Sequence, residues 1–488
     1  MIALEVRAGR WADSAKMMRA AREAQALAGV ERAFVFMGTP ANVAEARELG
    51  LGDDGLDAAG PNDLVIAIDG AEPHAGLEAA AMALDAGTLA SSGAHEEQSA
   101  ATSLTRASAD VAIVSVPGEY ASLEAHKALG AGMDVLLFSN GVGVDDEVAL
   151  KVRAHRLGRL VMGPGAGTAV IEGVGLGFAN AVASGPVGVV AAAGTGAQEV
   201  TVLLERFGSG ITQCYGTGGR DLQERIGART ALDAIGRLAA DDATEVILCV
   251  SKPPAPAVAE TVVSALAECG KPAVACFVGG DARAVGPVRL VPTLDEAARA
   301  AAEAAGAPAP PLPEPPGARP RSGVVRGLFS GGTLCSEAAA ILAERLGRVV
   351  SNAPAGSATA LDPGEPLSGH ACLDLGEEEY TRGRPHPMID PHARAEQIAA
   401  QADDSALAVL LFDVVLGFGS HPDPAGVLID ALQPVRRERP EVAVIAHVLG
   451  TEADSQVLSA QEAALQAAGV TTAASNALAA RWAAAALA

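Results

Sequence analysis

Short apolar runs alternate with Ala-rich stretches of helical length along most of the chain. Ala33–Met37, Leu64–Ile68, Val111–Val116, Val135–Phe138 and Leu160–Met162 read as buried strands, and 121–129 and 145–157 carry helical length and period. The same grammar returns after residue 187, in Ile211–Tyr215, Glu245–Val250 and Pro272–Phe277, and again after residue 325, in Ala371–Leu375, Ala408–Phe412 and Val442–Ala446. Strand–helix alternation of this kind predicts parallel, doubly wound sheets. The expected fold class is therefore α/β: one N-terminal Rossmann-like unit and two flavodoxin-like units. Residues 301–322 break the pattern, because proline at that density sustains neither helix nor sheet and gives an extended linker.

The two later units open alike. Val187–Glu199 and Val325–Glu337 each run from an apolar strand through a Gly-Thr turn into a helical pattern. Gly194, Thr195, Glu199, Leu203 and Leu204 match Gly332, Thr333, Glu337, Ile341 and Leu342 at one constant offset, which indicates duplication. A Gly-hydroxyl turn at a helix start presents free N–H groups and the positive end of the dipole, a setting for phosphate. Gly194, Thr195 and Gly196, with Gly331, Gly332 and Thr333, are the candidate phosphate-binding residues. The alternative is that these glycines only permit tight strand-to-helix turns. The matched glutamates would repel a bare phosphate, so Glu199 is expected to orient a protonated group or move a proton.

Composition narrows the partners. The 488 residues suffice for about three domains, and a formal charge of -24 argues against a nucleic-acid or anionic-membrane surface. Six cysteines (214, 249, 269, 276, 335 and 372) lie scattered without metal spacing, as expected of reduced thiols in a cytoplasmic protein. No basic leader or membrane-length apolar run is apparent. There is no P-loop, metal-spaced cluster or GxSxG elbow, so no metal ligand is assigned, and ATP would have to come with another chain.

Two polar loops follow strands. Gly216–Asp221 offers Gly218 and Gly219 as backbone donors and Arg220 as a guanidinium fork for a carboxylate or phosphate, or else is a Gly-rich surface turn. Its counterpart, Asp374–Asp390, gathers Arg382, Arg384, His386 and Asp390 between prolines and reads as a catalytic or substrate-binding loop. Asp413 ends another strand and suits a buried structural acid or a substrate contact equally. Met37–Asn42, Gly163–Thr168 and Ser251–Pro254 are further strand-end loops able to meet a ligand.

At these residues the sequence resembles the FdrA family, a branch of the acyl-CoA synthetase (succinyl-CoA synthetase) superfamily. The resemblance rests on Met37–Asn42, Gly163–Thr168, Gly194–Glu199, Gly218–Leu222, Val250–Pro254, Ser330–Leu334, Gly383–Pro391 and Asp413–Gly419, and spans nearly the whole chain. It implies a CoA-binding-type domain over 1–183, a ligase domain like that of a synthetase α subunit over 184–300, and one like that of the β subunit over 323–488. In that superfamily the two helix ends cradle the phosphate of a phosphohistidine, and Glu199 matches the glutamate that supports the histidine. Here the loop that would carry it, Val278–Pro287, has none, and no histidine lies between His155 and His370.

The resemblance further implies a carbamoyltransferase subunit, like oxamate carbamoyltransferase of purine breakdown, that exchanges a carbamoyl group between a ureido compound and phosphate. Phosphate or carbamoyl phosphate is then the expected substrate, CoA a candidate ligand, and further subunits or a homo-oligomer the expected assembly. Arg220, Arg382 or Arg384 would clamp substrate or stabilise developing charge, and His386 or Glu199 would move the proton. Two rivals stand beside this reading: an acyl-CoA synthetase subunit served by a separate ATP-grasp chain, and a non-catalytic scaffold.

Overall fold

The computed structural model describes residues 1–487 except 13, 52–54, 87–108, 311–312, 314–320, 363–366 and 382–383. It divides into two units, 1–107 and 108–488.

The first unit is built on an antiparallel sheet of β1 (Ile2–Arg7), β2 (Val30–Met37) and β3 (Leu64–Gly70), with β3 in the centre. The Ser14–Gln25 and Pro73–Ala86 helices bury Ala20, Ala24, Ala80 and Leu84 against Ile66 and Ile68. On the other face Val65 and Ala67 meet Leu51 and Leu56. Burial on both faces explains why Leu64–Ile68 is one unbroken apolar run. This corrects the expected single Rossmann-like domain over 1–183. An apolar run records burial but not the direction of the neighbouring strand, and here the neighbours run antiparallel.

The second unit opens with a small parallel sheet of β4 (Val111–Val114), β5 (Asp134–Leu137) and β6 (Val161–Met162), in that order. An eight-stranded sheet follows, comprising β7 (Thr168–Ile171), β8 (Val174–Gly177), β9 (Ser184–Ala192), β10 (Ile211–Gly216), β11 (Val246–Ser251), β12 (Ala273–Phe277), β13 (Arg283–Val285) and β14 (Val288–Val291). Its order is 13-14-12-11-9-10-7-8, parallel from β14 through β10 and antiparallel at both edges. The last sheet has seven parallel strands: β15 (Val324–Phe329), β16 (Val349–Ser351), β17 (Thr359–Ala360), β18 (His370–Asp374), β19 (Leu407–Val415), β20 (Ala443–Leu449) and β21 (Thr471–Ala473), ordered 17-16-18-15-19-20-21.

The duplication is visible in these orders. The run 10-9-11-12-14 of one sheet corresponds to 18-15-19-20-21 of the other. The Gly194–Arg206 helix follows β9, the Gly332–Leu346 helix follows β15, and both lie inside one apolar core that runs through the two halves. That core joins Leu203 and Leu204 to Leu334, Ala338, Ala339, Ala477 and Ala480. Small side chains let helices buried on nearly every side approach closely, which accounts for the alanine-rich composition. The helix Leu294–Ala304 occupies the first residues of the expected 301–322 linker, and most of the proline-rich stretch lies outside the described residues.

Candidate active site at two facing helix starts

The two Gly-Thr turns meet. A Cβ built on Gly331 would stand 2.2 Å from Thr195 Cγ2, and one built on Gly196 would stand 2.8 Å from Thr333 Cγ2. Each threonine thus packs onto a glycine of the opposite turn, and only glycine leaves room for it. Ala193 and Gly331, the residues preceding the two helices, are extended and offer no side-chain cap. The first helical bonds are Ala197 N–H to Ala193 O and Cys335 N–H to Gly331 O. The N–H groups before them have no partner within their own helices, so two positive dipole ends come to one place.

Three side chains that meet this place come from strand ends and loops. Lys252 follows β11, and a Cβ on Gly332 would lie 2.5 Å from its Nζ and equally 2.5 Å from Asp374 Oδ2. Its backbone carbonyl accepts Ser251 Oγ–H at 2.6 Å, but among the described residues its ammonium makes no hydrogen bond or ion pair. Asp374 closes β18 and is 3% exposed. Its Oδ1 accepts Gly376 N–H at 2.9 Å, and Asn352 Nδ2 and Oδ1 fix its backbone carbonyl and amide. Burial pushes its carboxyl up to about 7, against the pull of the Lys252 ammonium.

His386 is the third. A Cβ on Gly376 would stand 2.7 Å from its Nε2 and 3.1 Å from Asp374 Oδ1. Nδ1 accepts the Met388 N–H at 3.3 Å, which leaves the ring proton on Nε2, facing Gly376. Phe178 stacks at 5.8 Å, and burial with the nearby Arg394 charge drives the imidazolium pKa down to about 4, so the ring is neutral at physiological pH.

The other sequence candidates lie elsewhere. Arg384 is exposed and pairs with Glu396 at 2.9 Å, a surface contact rather than the expected substrate clamp. Arg382 lies outside the described residues. Asp390 accepts from the backbone and ring of His392 at the start of the next helix. Arg220 is tethered through Nη2, which meets Val142 O at 2.8 Å and Glu147 at 2.9 Å. Its neighbour Asp221 ties down Lys151 at 2.7 Å and the first amides of the Arg229–Ala240 helix. Gly218 backs onto Gly163 and Pro164, whereas Gly219 faces open space. Asp413 is the buried structural acid: it receives Ser330 N–H and Oγ–H and pairs with the buried Arg394.

Glu199 is also structural. One oxygen accepts Asn476 N–H at 3.0 Å and the other bonds His447 Nε2 at 2.7 Å, while His447 Nδ1 contacts Ala473 O at 3.0 Å. With no exposure and both oxygens occupied, it is not placed to move a proton for a ligand. Lys252 and Asp374, not singled out as site residues from the sequence, share one signal: each stands at the carboxyl end of a parallel strand, where open α/β sheets bind ligands.

Comparison with known proteins follows this layout. The CoA-ligase family matches residues 328–486, and the family "AllF, heavy metal-associated domain" matches 1–104. Among curated proteins, Escherichia coli K12 YahF, described as uncharacterized, is 39% identical over 497 residues, covering 97% of this chain and 96% of its own. Solved structures with some likeness include the dinucleotide-forming acetyl-coenzyme A synthetase 1 of Ca. Korarchaeum cryptofilum in complex with phosphate and ADP (15% identity, 78% of this chain and 83% of that one, TM-score 0.34). Another is the ATP citrate lyase of Methanothrix soehngenii (21% identity, 41% and 36%, TM-score 0.33). The first cysteine of the chain is Cys214, and no group of three or more metal-ligating side chains occurs among the described residues. No helix among them is long and apolar enough to cross a membrane.

Proposed function

The chain belongs to the acyl-CoA synthetase-like superfamily, in the FdrA-like group that includes YahF, and from that premise we propose that it is an enzyme subunit that makes or consumes a carbamoyl phosphate. The phosphate sits between the Gly194 and Gly332 helix starts, held by backbone N–H groups and the Lys252 ammonium. The observation that carries this reading is the seating of Thr195 on Gly331 and Thr333 on Gly196, which joins two uncapped helix starts at one point. Two dipole ends and an unpaired cation favour a multiply charged anion.

A phosphorolytic carbamoyl transfer suits the residues present. Phosphate attacks the carbonyl of a ureido acid such as oxalurate, giving carbamoyl phosphate and an amide, and no phosphohistidine is required. Support comes from the 278–287 loop, which carries no histidine. The test is phosphate-dependent formation of carbamoyl phosphate from a panel of ureido acids, with the subunits that co-purify present. No product from any of them, with folded protein that binds phosphate, would overturn the carbamoyl assignment.

The CoA-ligase match over 328–486 favours a second reading, an acyl-CoA synthetase subunit with a separate ATP-grasp chain. Acyl-CoA formation dependent on ATP, CoA and such a chain would select it.

A further inference from the structure

We propose that Asp374 is the proton-carrying residue of this site and that Lys252 sets the anion against it. The proposal rests on the phosphate-site reading above and adds the acid–base group that the sequence did not assign. The geometry is convergent. Asp374 Oδ2 and Lys252 Nζ both crowd the Cα of Gly332, the first residue of one of the two facing helices. Oδ2 of this 3%-exposed carboxylate has no hydrogen-bond partner among the described residues, while Oδ1 is held by Gly376. Oδ2 is therefore the oxygen left accessible to meet a ligand proton, while burial of the residue as a whole favours its protonated form.

The step balances. A phosphate oxygen forms a C–O bond to the ureido carbonyl carbon, the C–N bond breaks, and the leaving nitrogen takes one proton. Protonated Asp374 donates that proton from Oδ2 and regains one from the attacking hydrogen phosphate. Lys252 and the helix N–H groups hold the phosphoryl oxygens throughout. A carboxyl poised near 7 is matched to such a transfer. His386 stays neutral and uncharged over the same range, so it donates from Nε2 without titrating.

The groups facing Asp374 are few. Lys252 lowers its pKa, whereas Glu377 and Asp413 raise it, Asp413 being paired with Arg394. Cys335 and Tyr380 have raised pKa values themselves and stay neutral. Below about 7 the protonated Asp374 leaves an anion unopposed, and above it the carboxylate repels one.

Calorimetric titration of the full chain with sulfate, whose charge is constant from about pH 5.5 to about pH 8.5, reads this directly. Affinity of the wild type is expected to fall as pH rises through about 7. In Asp374→Asn it should be flat with pH, and in Lys252→Met it should be about tenfold weaker or more at every pH. A flat wild-type profile overturns the assignment without any variant, whatever the folding of Asp374→Asn. An unchanged slope in Asp374→Asn, or full affinity in Lys252→Met, also overturns it while leaving the phosphate site in place. No sulfate or phosphate binding by the wild type would overturn the phosphate-site reading and this proposal together.

Discussion

Glu337, on the central helix of the second ligase-like half, accepts the backbone N–H of Leu294 at 2.6 Å, and Leu294 opens the last helix of the first half. The mirror contact is Glu199 to the N–H of Asn476, which opens the last helix of the second half. Each half therefore caps a helix of the other, and Arg481 reinforces the exchange by reaching Asp295 at 2.7 Å. The matched glutamates of the repeat are the clamps of the duplicated core.

Burial, with Asp295 and then Glu199 nearby, lifts the Glu337 pKa to about 8. A carboxyl whose folded pKa exceeds its unfolded value binds more protons when folded, so stability falls as pH rises between the two. Melting temperature should decline from about pH 5 to about pH 8, and Glu337→Gln should flatten that slope. The amide presents a donor to Leu294 N–H or to Asn476 Nδ2, so the variant should also lose about 1–3 kcal/mol at low pH. Melting curves across pH check both effects.

Gly331→Ala should drive a methyl into Thr195 and cost about 1–3 kcal/mol through overpacking. Adding Thr195→Ala should recover part of that loss, since contacting residues couple by about 0.5 kcal/mol or more. A double-mutant cycle in urea measures the coupling, and additive losses would deny the contact.

Arg384→Ala should leave turnover unchanged and shift stability by less than about 1 kcal/mol, the range for an exposed ion pair. A large fall in kcat with a normal melting temperature would return this loop to the catalytic machinery.

Lys151 is 2% exposed and neutralises Glu147 and Asp221 at 2.9 and 2.7 Å. Lys151→Met removes the shared cation, leaving buried Glu147 with Arg220 alone and buried Asp221 with the Thr230 and Ala231 amides, and should cost about 3 kcal/mol. Chemical denaturation tests this, and a near-neutral outcome would show that the loop relaxes to admit water.

The alternation of apolar runs and Ala-rich segments was enough to predict an α/β chain, and the constant offset between Gly194-Thr195 and Gly332-Thr333 marked the repeated strand-turn-helix. Both are local: strand burial and helix starts leave their imprint within a dozen residues. The antiparallel pairing of β2 and β3 was not legible, because the run Leu64–Ile68 would be equally apolar beside parallel neighbours. Nor was the fate of the charged candidates. Arg220 and Arg384 have the chemistry of anion clamps, but Glu147 and Glu396 reached them first, and that depends on side chains distant in sequence or one helical segment away. Glu199 and Asp413 became buried structural acids for the same reason, and Lys252 and Asp374 gained their place at the helix starts only when strands far apart in sequence ended together. Local pattern determined the elements and the repeat. Long-range packing decided which charges were consumed by the protein and which were left facing the site.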